Sequence, residues 1–75
     1  LKLEWLEAFV AFAEHENFTR AAAALHLSQP ALHMQVQKLA EALSVSLYER
    51  RGQKLVLTAD GRRVAALGRE LLGRA

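Results

Sequence analysis

The stretch LSQPALHMQVQKL, residues 27–39, carries Gln29, His33 and Gln37, side chains that both donate and accept hydrogen bonds, with Met34 among them. Further along, RRGQK gathers Arg50, Arg51 and Lys54 within five residues. The first group suits recognition of flat polar edges through directed hydrogen bonds. The second attracts an anion whatever its detailed shape. Chemistry that makes or breaks bonds has no comparable nucleus. There is no glycine-rich phosphate loop, no nucleophile–base pair and no paired catalytic carboxylate. His15, His26 and His33 lack metal-ligand spacing, and the chain has no cysteine to join them. We find no case for an enzyme or a metal site; His15 and His26 read as surface or turn residues.

The elements that must hold these groups follow from periodicity. With successive residues ~100° apart, a helix over 29–43 turns Leu32, Val36, Leu39 and Leu43 inward. Opposite them lie Pro30, Met34, Gln37 and Glu41, flanked by His33 and Lys38, with Gln29 projecting from the exposed end. Ser28 is the expected N-cap, and Pro30 sits in the first turn, where its missing N–H costs nothing. Upstream, residues 3–16 form a first helix with Leu3, Leu6, Phe9, Val10 and Ala13 on one face. Trp5, Ala8 and Phe12 widen that face enough to meet two neighbours. Asn17 is the expected left-handed stop. Thr19 is the expected cap of a short second helix, RAAAALH, with Ala21, Ala22 and Leu25 inward and a tight His26-Leu27 turn after it.

Downstream the period changes to two. Val45 and Leu47, then Leu55 and Leu57, flank a basic tip that turns at Gly52, which predicts a small β-hairpin over 45–57. Thr58 caps a last helix whose apolar stripe is Gly61, Val64, Leu67, Gly68 and Leu71, with arginines on both flanks. A solitary end helix must bury such a stripe somewhere.

Composition sets the bounds. The 75 residues fit one domain, near the size where a single core is barely adequate. Net charge is only +2, but it is unevenly placed. Residues 1–49 hold three cations against six carboxylates, a balance of −3, whereas residues 50–75 hold seven against two, a balance of +5. That asymmetry points to an anionic partner near the C-terminal third. No apolar run approaches the roughly 18 residues of a membrane span, and no secretory signal is present, so a cytoplasmic location and no membrane partner are expected. Beginning at Leu1 and stopping within an expected helix, the chain reads as an N-terminal piece of a longer protein.

Two short helices joined by a tight turn, the second with a polar outer face, followed by a basic hairpin, describe a winged helix-turn-helix. FTRAAAALHLSQPALHMQVQKLAEAL, followed by LYERRGQKLVLTADG, closely resembles the N-terminal domain of LysR-type transcriptional regulators. The resemblance runs from Leu3 to Gly61 and into the helix beyond. It implies a mainly α fold, three helices and a two-stranded wing (1–58, with the helix-turn-helix at 18–37), then a linker helix from 59 to 75. It further implies a bacterial regulator that binds double-stranded DNA at an interrupted palindrome. Such a protein is a homodimer through the linker helix, with a higher oligomer expected at full length. A small-molecule effector would bind only in a C-terminal domain, with no cofactor in this one. Dimerisation would fall to Val64, Leu67, Gly68 and Leu71, with Gly61 and Gly68 allowing close approach and Trp5, Ala8 and Phe12 seating the linker.

By resemblance, the third helix enters the major groove. Gln29 would pair with an adenine edge, and Pro30 and Ala31 would touch a thymine methyl. Ser28, His33, Met34, Gln37 and Lys38 fall on the same surface. Thr19 and Arg20 would sit against phosphate, helped by free amides at the start of the second helix, while Arg50, Arg51 and Lys54 grip the backbone or reach the minor groove. This chain departs from the family pattern S-Q-P-A-L-S-R-Q-I, with His33 and Met34 replacing serine and arginine. Met34 is therefore expected either to touch thymine methyls or to leave binding unusually weak. Ser44 stands where a glycine is common, which predicts a strained turn. The competing reading is a helical protein-interaction module whose wing docks an acidic protein surface.

Overall fold

Helix α1 (Leu3–His15) buries Leu6 and the whole run from Ala8 to Ala13, so it is wrapped on nearly all sides. The computed structural model describes residues 1–74; Ala75, the end of the expected linker segment, lies outside them. Around α1 pack α2 (Phe18–Ala24), α3 (Gln29–Leu43) and α4 (Ala59–Leu71), and strands β1 (Tyr48–Arg51) and β2 (Lys54–Leu57) form an antiparallel hairpin. The core is Phe9, Phe12, Leu32, Val36, Leu39 and Leu47 with small alanines between the helices. Burying Ala21 and Ala22 lets α2 lie close to its neighbours, so those alanines are packing residues as well as helix formers.

The segment boundaries follow from backbone chemistry. Helix α2 ends with His26 at φ 57, the amide of Leu27 donating to the Ala22 carbonyl and that of His26 to Ala23. This is the Schellman stop, with a left-handed residue satisfying the last carbonyls. Helix α3 ends in the same way. Ser44 takes φ 55, and the amides of Val45 and Ser44 bond to Ala40 and Glu41. Ser28 and Thr58 cap α3 and α4 as expected, accepting from the amides of Ala31 at 3.2 Å and Gly61 at 2.9 Å. The hairpin turns on Gly52 at φ 61, between the paired residues Arg51 and Lys54.

Several expectations give way. Glu16, not Asn17, is the left-handed stop of α1, at φ 53. Asn17 instead caps α2, its side chain accepting from the Arg20 amide at 2.9 Å, and Thr19 lies inside the helix. Asparagine is good at both tasks, and an orphan amide of the next helix claimed it. Leu3 and Leu43 are exposed; each lies in a terminal turn of its helix, at the edge of the packed region. Val45 and Leu47 precede β1 rather than forming it, although Leu47 is buried beneath.

The stripe of α4 divides in two. Gly61, Ala65 and Gly68 face inward, whereas Leu67 and Leu71 are 57% and 66% exposed. A Cβ at Gly68 would come within 2.7 Å of Val10 and 3.0 Å of Leu6, and one at Gly61 would run into the Leu47 carbonyl. Both glycines are therefore used inside this chain, not held for a partner. The seat of α4 is the Leu6/Val10 side of α1. Phe12 belongs to the core at 2% exposed and offers nothing to a second copy, while Trp5 is half-buried against the same core.

The left-handed serine gives a direct test. Ser44→Gly removes a Cβ from a conformation that costs an L residue about 1–2 kcal/mol. The variant should gain about 1 kcal/mol of stability, seen as a higher urea midpoint with unchanged slope; a lower midpoint would mean that the serine is held by another contact or that the freer glycine costs more in the unfolded chain.

Candidate nucleic-acid interface

Helix α3 presents a continuous outer surface because its inner side is completely occupied. Leu32, Val36 and Leu39 are fully buried, which fixes the helix in rotation. The opposite side leaves Gln29, Pro30, His33, Met34, Gln37, Lys38 and Glu41 exposed and Ala31 partly so. Met34 is 51% exposed, which excludes a role in the core. Ser28 accepts the Ala31 amide as the cap, and its exposed hydroxyl keeps its own O–H as a donor at the N-terminal end of the helix.

The start of α2 lies beside the wing. Thr19 and Lys54 both line one open cleft, with Asn17, Phe18 and Leu55 also forming it. Thr19 and Arg20 are exposed, but the Arg20 amide is already taken by the Asn17 side chain. The set of free amides expected there is smaller by one.

Strand register separates the wing cations. Arg50 opposes Leu55, and Tyr48 opposes Leu57, so these four share one face of the ribbon. Arg51 opposes Lys54 on the other face, together with Glu49. Glu49 lies 3.3 Å from Arg51, an exposed pair that screens part of that cation. All three basic side chains are exposed, and the register sets Arg50 on one face of the ribbon and Arg51 and Lys54 on the other.

A cluster of rings joins wing and helices. Phe12 stacks on Phe18 with centroids 4.2 Å apart, and both contact Tyr48, at 5.3 and 5.5 Å. His33 lies 5.2 Å from Phe18, and its Nε2 is 3.0 Å from the Tyr48 hydroxyl. Sequence reasoning missed Tyr48 altogether. Its only trace was an aromatic residue at the start of a strand, and its partner lies on a separate element. Burial pushes the Tyr48 hydroxyl above its ordinary value of 10.0, since the phenolate loses hydration.

A helix-turn-helix with its second helix bared beside a basic hairpin defines a winged helix-turn-helix protein. Residues 3–62 match the family model described as bacterial regulatory helix-turn-helix protein, lysR family, and the chain belongs to that family. It is 50% identical over 64 residues to the RuBisCO operon transcriptional regulator of Allochromatium vinosum, covering 85% of this chain and 21% of that protein. This chain thus spans about a fifth of that relative's length. Among solved structures it resembles the BenM_DBD/catB site 1 DNA complex, with TM-score 0.90 and 36% identity over 97% of this chain and 81% of that one. It also resembles the CbnR_DBD–DNA complex, with TM-score 0.89 and 37% identity over 97% and 84%. The expected fold, a mainly helical winged helix-turn-helix, is borne out.

Because the chain has a single tyrosine, its titration is readable. Phenolate absorbance should rise with a midpoint above that of the urea-unfolded chain. The raised folded value means that this contribution to stability is complete below 10.0 and is lost as pH climbs through the folded value. Equal midpoints would show that Tyr48 is not held in the ring cluster.

Proposed function

We propose that this chain is the sequence-specific double-stranded-DNA-binding domain of a bacterial LysR-type transcriptional regulator, with α3 in the major groove and the wing on the backbone or minor groove. The observation that carries it is the α3 surface: amides, an imidazole and a thioether held outward by a fully buried Leu32/Val36/Leu39 side. Basic groups attract every phosphate alike and so supply affinity without choice. Amides and small apolar groups discriminate between bases but hold weakly. The helix reads and the wing holds.

Within this proposal, Gln29 pairs with an adenine edge, Pro30, Ala31 and Met34 meet thymine methyls, and Gln37 and Lys38 extend the contact along the groove. Thr19 and Arg20 rest on phosphate. Arg50, from one face of the ribbon, and Arg51 with Lys54, from the other, reach different phosphates. The domain acts by binding, with no cofactor or catalysis of its own. Two copies pair through the outer side of α4, where Leu67 and Leu71 are uncovered and Val64 lies at the edge. Sensing of a small molecule by another domain, higher assembly and a cytoplasmic location complete the reading for the whole regulator.

Selection of bound duplexes from a random pool tests the function. It should return an interrupted palindrome whose half-sites lie on one side of the duplex. On that site, with about four phosphates neutralised per protomer, the log–log salt slope of a dimer should be about −7, taking ~0.9 per phosphate. Gln29→Ala should lose ~1–3 kcal/mol of preference at one base pair, whereas Arg50→Ala should weaken all duplexes alike and flatten the slope. A slope near zero, or a pool that yields no common sequence, refutes the assignment.

The pairing has its own check. Leu67→Glu with Leu71→Glu should leave the helical circular dichroism intact and convert a sedimenting dimer to monomer, reducing binding to that of one half-site. A dimer that survives both changes uses another surface.

A further inference from the structure

Tyr48 and His33 meet where the wing touches α3, with the phenol oxygen 3.0 Å from Nε2. An imidazole nitrogen is the stronger acceptor of the two and a phenol the stronger acid, so the O–H donates to Nε2. A ring nitrogen that accepts carries no hydrogen; in the neutral ring the proton then sits on Nδ1. Among the described residues no hydrogen bond reaches Nδ1, and His33 is exposed beside Met34 on the outer side of α3. Phe18, 5.2 Å from the imidazole, flanks it and limits its tilt.

We propose that Tyr48 is a positioning residue that locks His33 in its Nδ1–H form, so that His33 presents a fixed hydrogen-bond donor to a purine N7 in the major groove. The inference rests on the DNA-reading function above. Its content is a choice of sign. A donor at this point selects the N7 acceptor carried by guanine and adenine; the other tautomer would offer an acceptor there and select the amino groups of cytosine or adenine. The wing thus contributes to base choice from inside the protein, without itself reaching a base.

Nitrogen-15 resonances of the imidazoles, recorded on the chain at mildly alkaline pH, read the tautomer directly. His33 is assigned by the signal lost in His33→Gln. The expected result is a pyrrole-like Nδ1 and a pyridine-like Nε2, with Tyr48→Phe moving the proton towards Nε2. On the duplex recovered from the random pool, replacing each purine N7 by carbon should cost the wild type about fivefold at one position besides the adenine paired with Gln29, the worth of one hydrogen bond. His33→Asn, whose amide nitrogen takes the place of Nδ1, should keep that sensitivity. His33→Gln retains only a group at the Nε2 position for Tyr48 and should lose it. A pyrrole-like Nε2 in the wild type, or a purine scan in which no position loses its sensitivity in His33→Gln, overturns the inference. A chain that binds no duplex fails the underlying function and this inference with it; a chain that binds duplex with the other tautomer fails this inference alone.

Discussion

Four rings from four elements decide how the two halves of the interface face each other. Phe12 of α1 stacks on Phe18 of α2, and Tyr48 of β1 lies across both while its hydroxyl reaches His33 of α3. A two-stranded ribbon is marginal by itself, because it has one apolar side and no second layer. Here that side is closed by Tyr48, Leu55 and Leu57 packing against the helical core. Aromatic pairs add roughly 0.5–1.5 kcal/mol beyond the area they bury, and they favour particular ring angles. Their geometry therefore fixes the orientation of the wing as well as its attachment. Without this cluster the outer surface of α3 and the wing cations would be two independent patches.

With it, they form one surface with divided tasks. The sequence places few cations on α3 and several on the hairpin, and the register then distributes those cations over both faces of the ribbon. A cluster aimed at a single phosphate would repel itself when unbound and gain little from its third member. Spread over two faces, the same charges repel one another less, and Glu49 beside Arg51 moderates the field at the tip. The pairs here are exposed and contribute little to folding. Their value lies in the potential they present outside the protein.

Local signals were legible in the sequence, and non-local ones were not. Ser28, Thr58 and Gly52 act within three or four residues of themselves, and each does what its chemistry dictates. The inner face of α3 follows from helical spacing alone. Asn17 shows the limit of local reasoning: cap and left-handed stop are both good uses of asparagine, and the choice depends on how two helices meet. Phe12 shows a second limit. A helix apolar on many sides reveals that it has several neighbours but not which neighbour takes which residue, so a core phenylalanine resembled an interface one. The bond between Tyr48 and His33 spans fifteen positions and joins a helix to a strand, and no periodicity could announce it. Even so, the exposed outer side of α3 and the exposed wing cations follow from residue type and spacing, and the structure leaves both uncovered.

The most consequential difference from expectation is the use of the glycines in α4. Gly61 sets the start of that helix against the Leu47 carbonyl, while Thr58 bonds to the Ser46 carbonyl with its hydroxyl and accepts from the Gly61 amide. Gly68, two turns on, brings the helix onto Val10 and Leu6 of α1. The two fixed points make α4 part of the same rigid body as α3 and the wing, rather than a tether leaving it. Glu14 adds weak restraint from α1, lying 3.7 Å from Arg69 and 3.8 Å from Arg74. In the proposed dimer, the angle at which two copies of Leu67 and Leu71 pack would then pass undamped to both recognition helices. A flexible linker would tolerate many half-site spacings. A helix fastened in this way would hold such a dimer to one spacing.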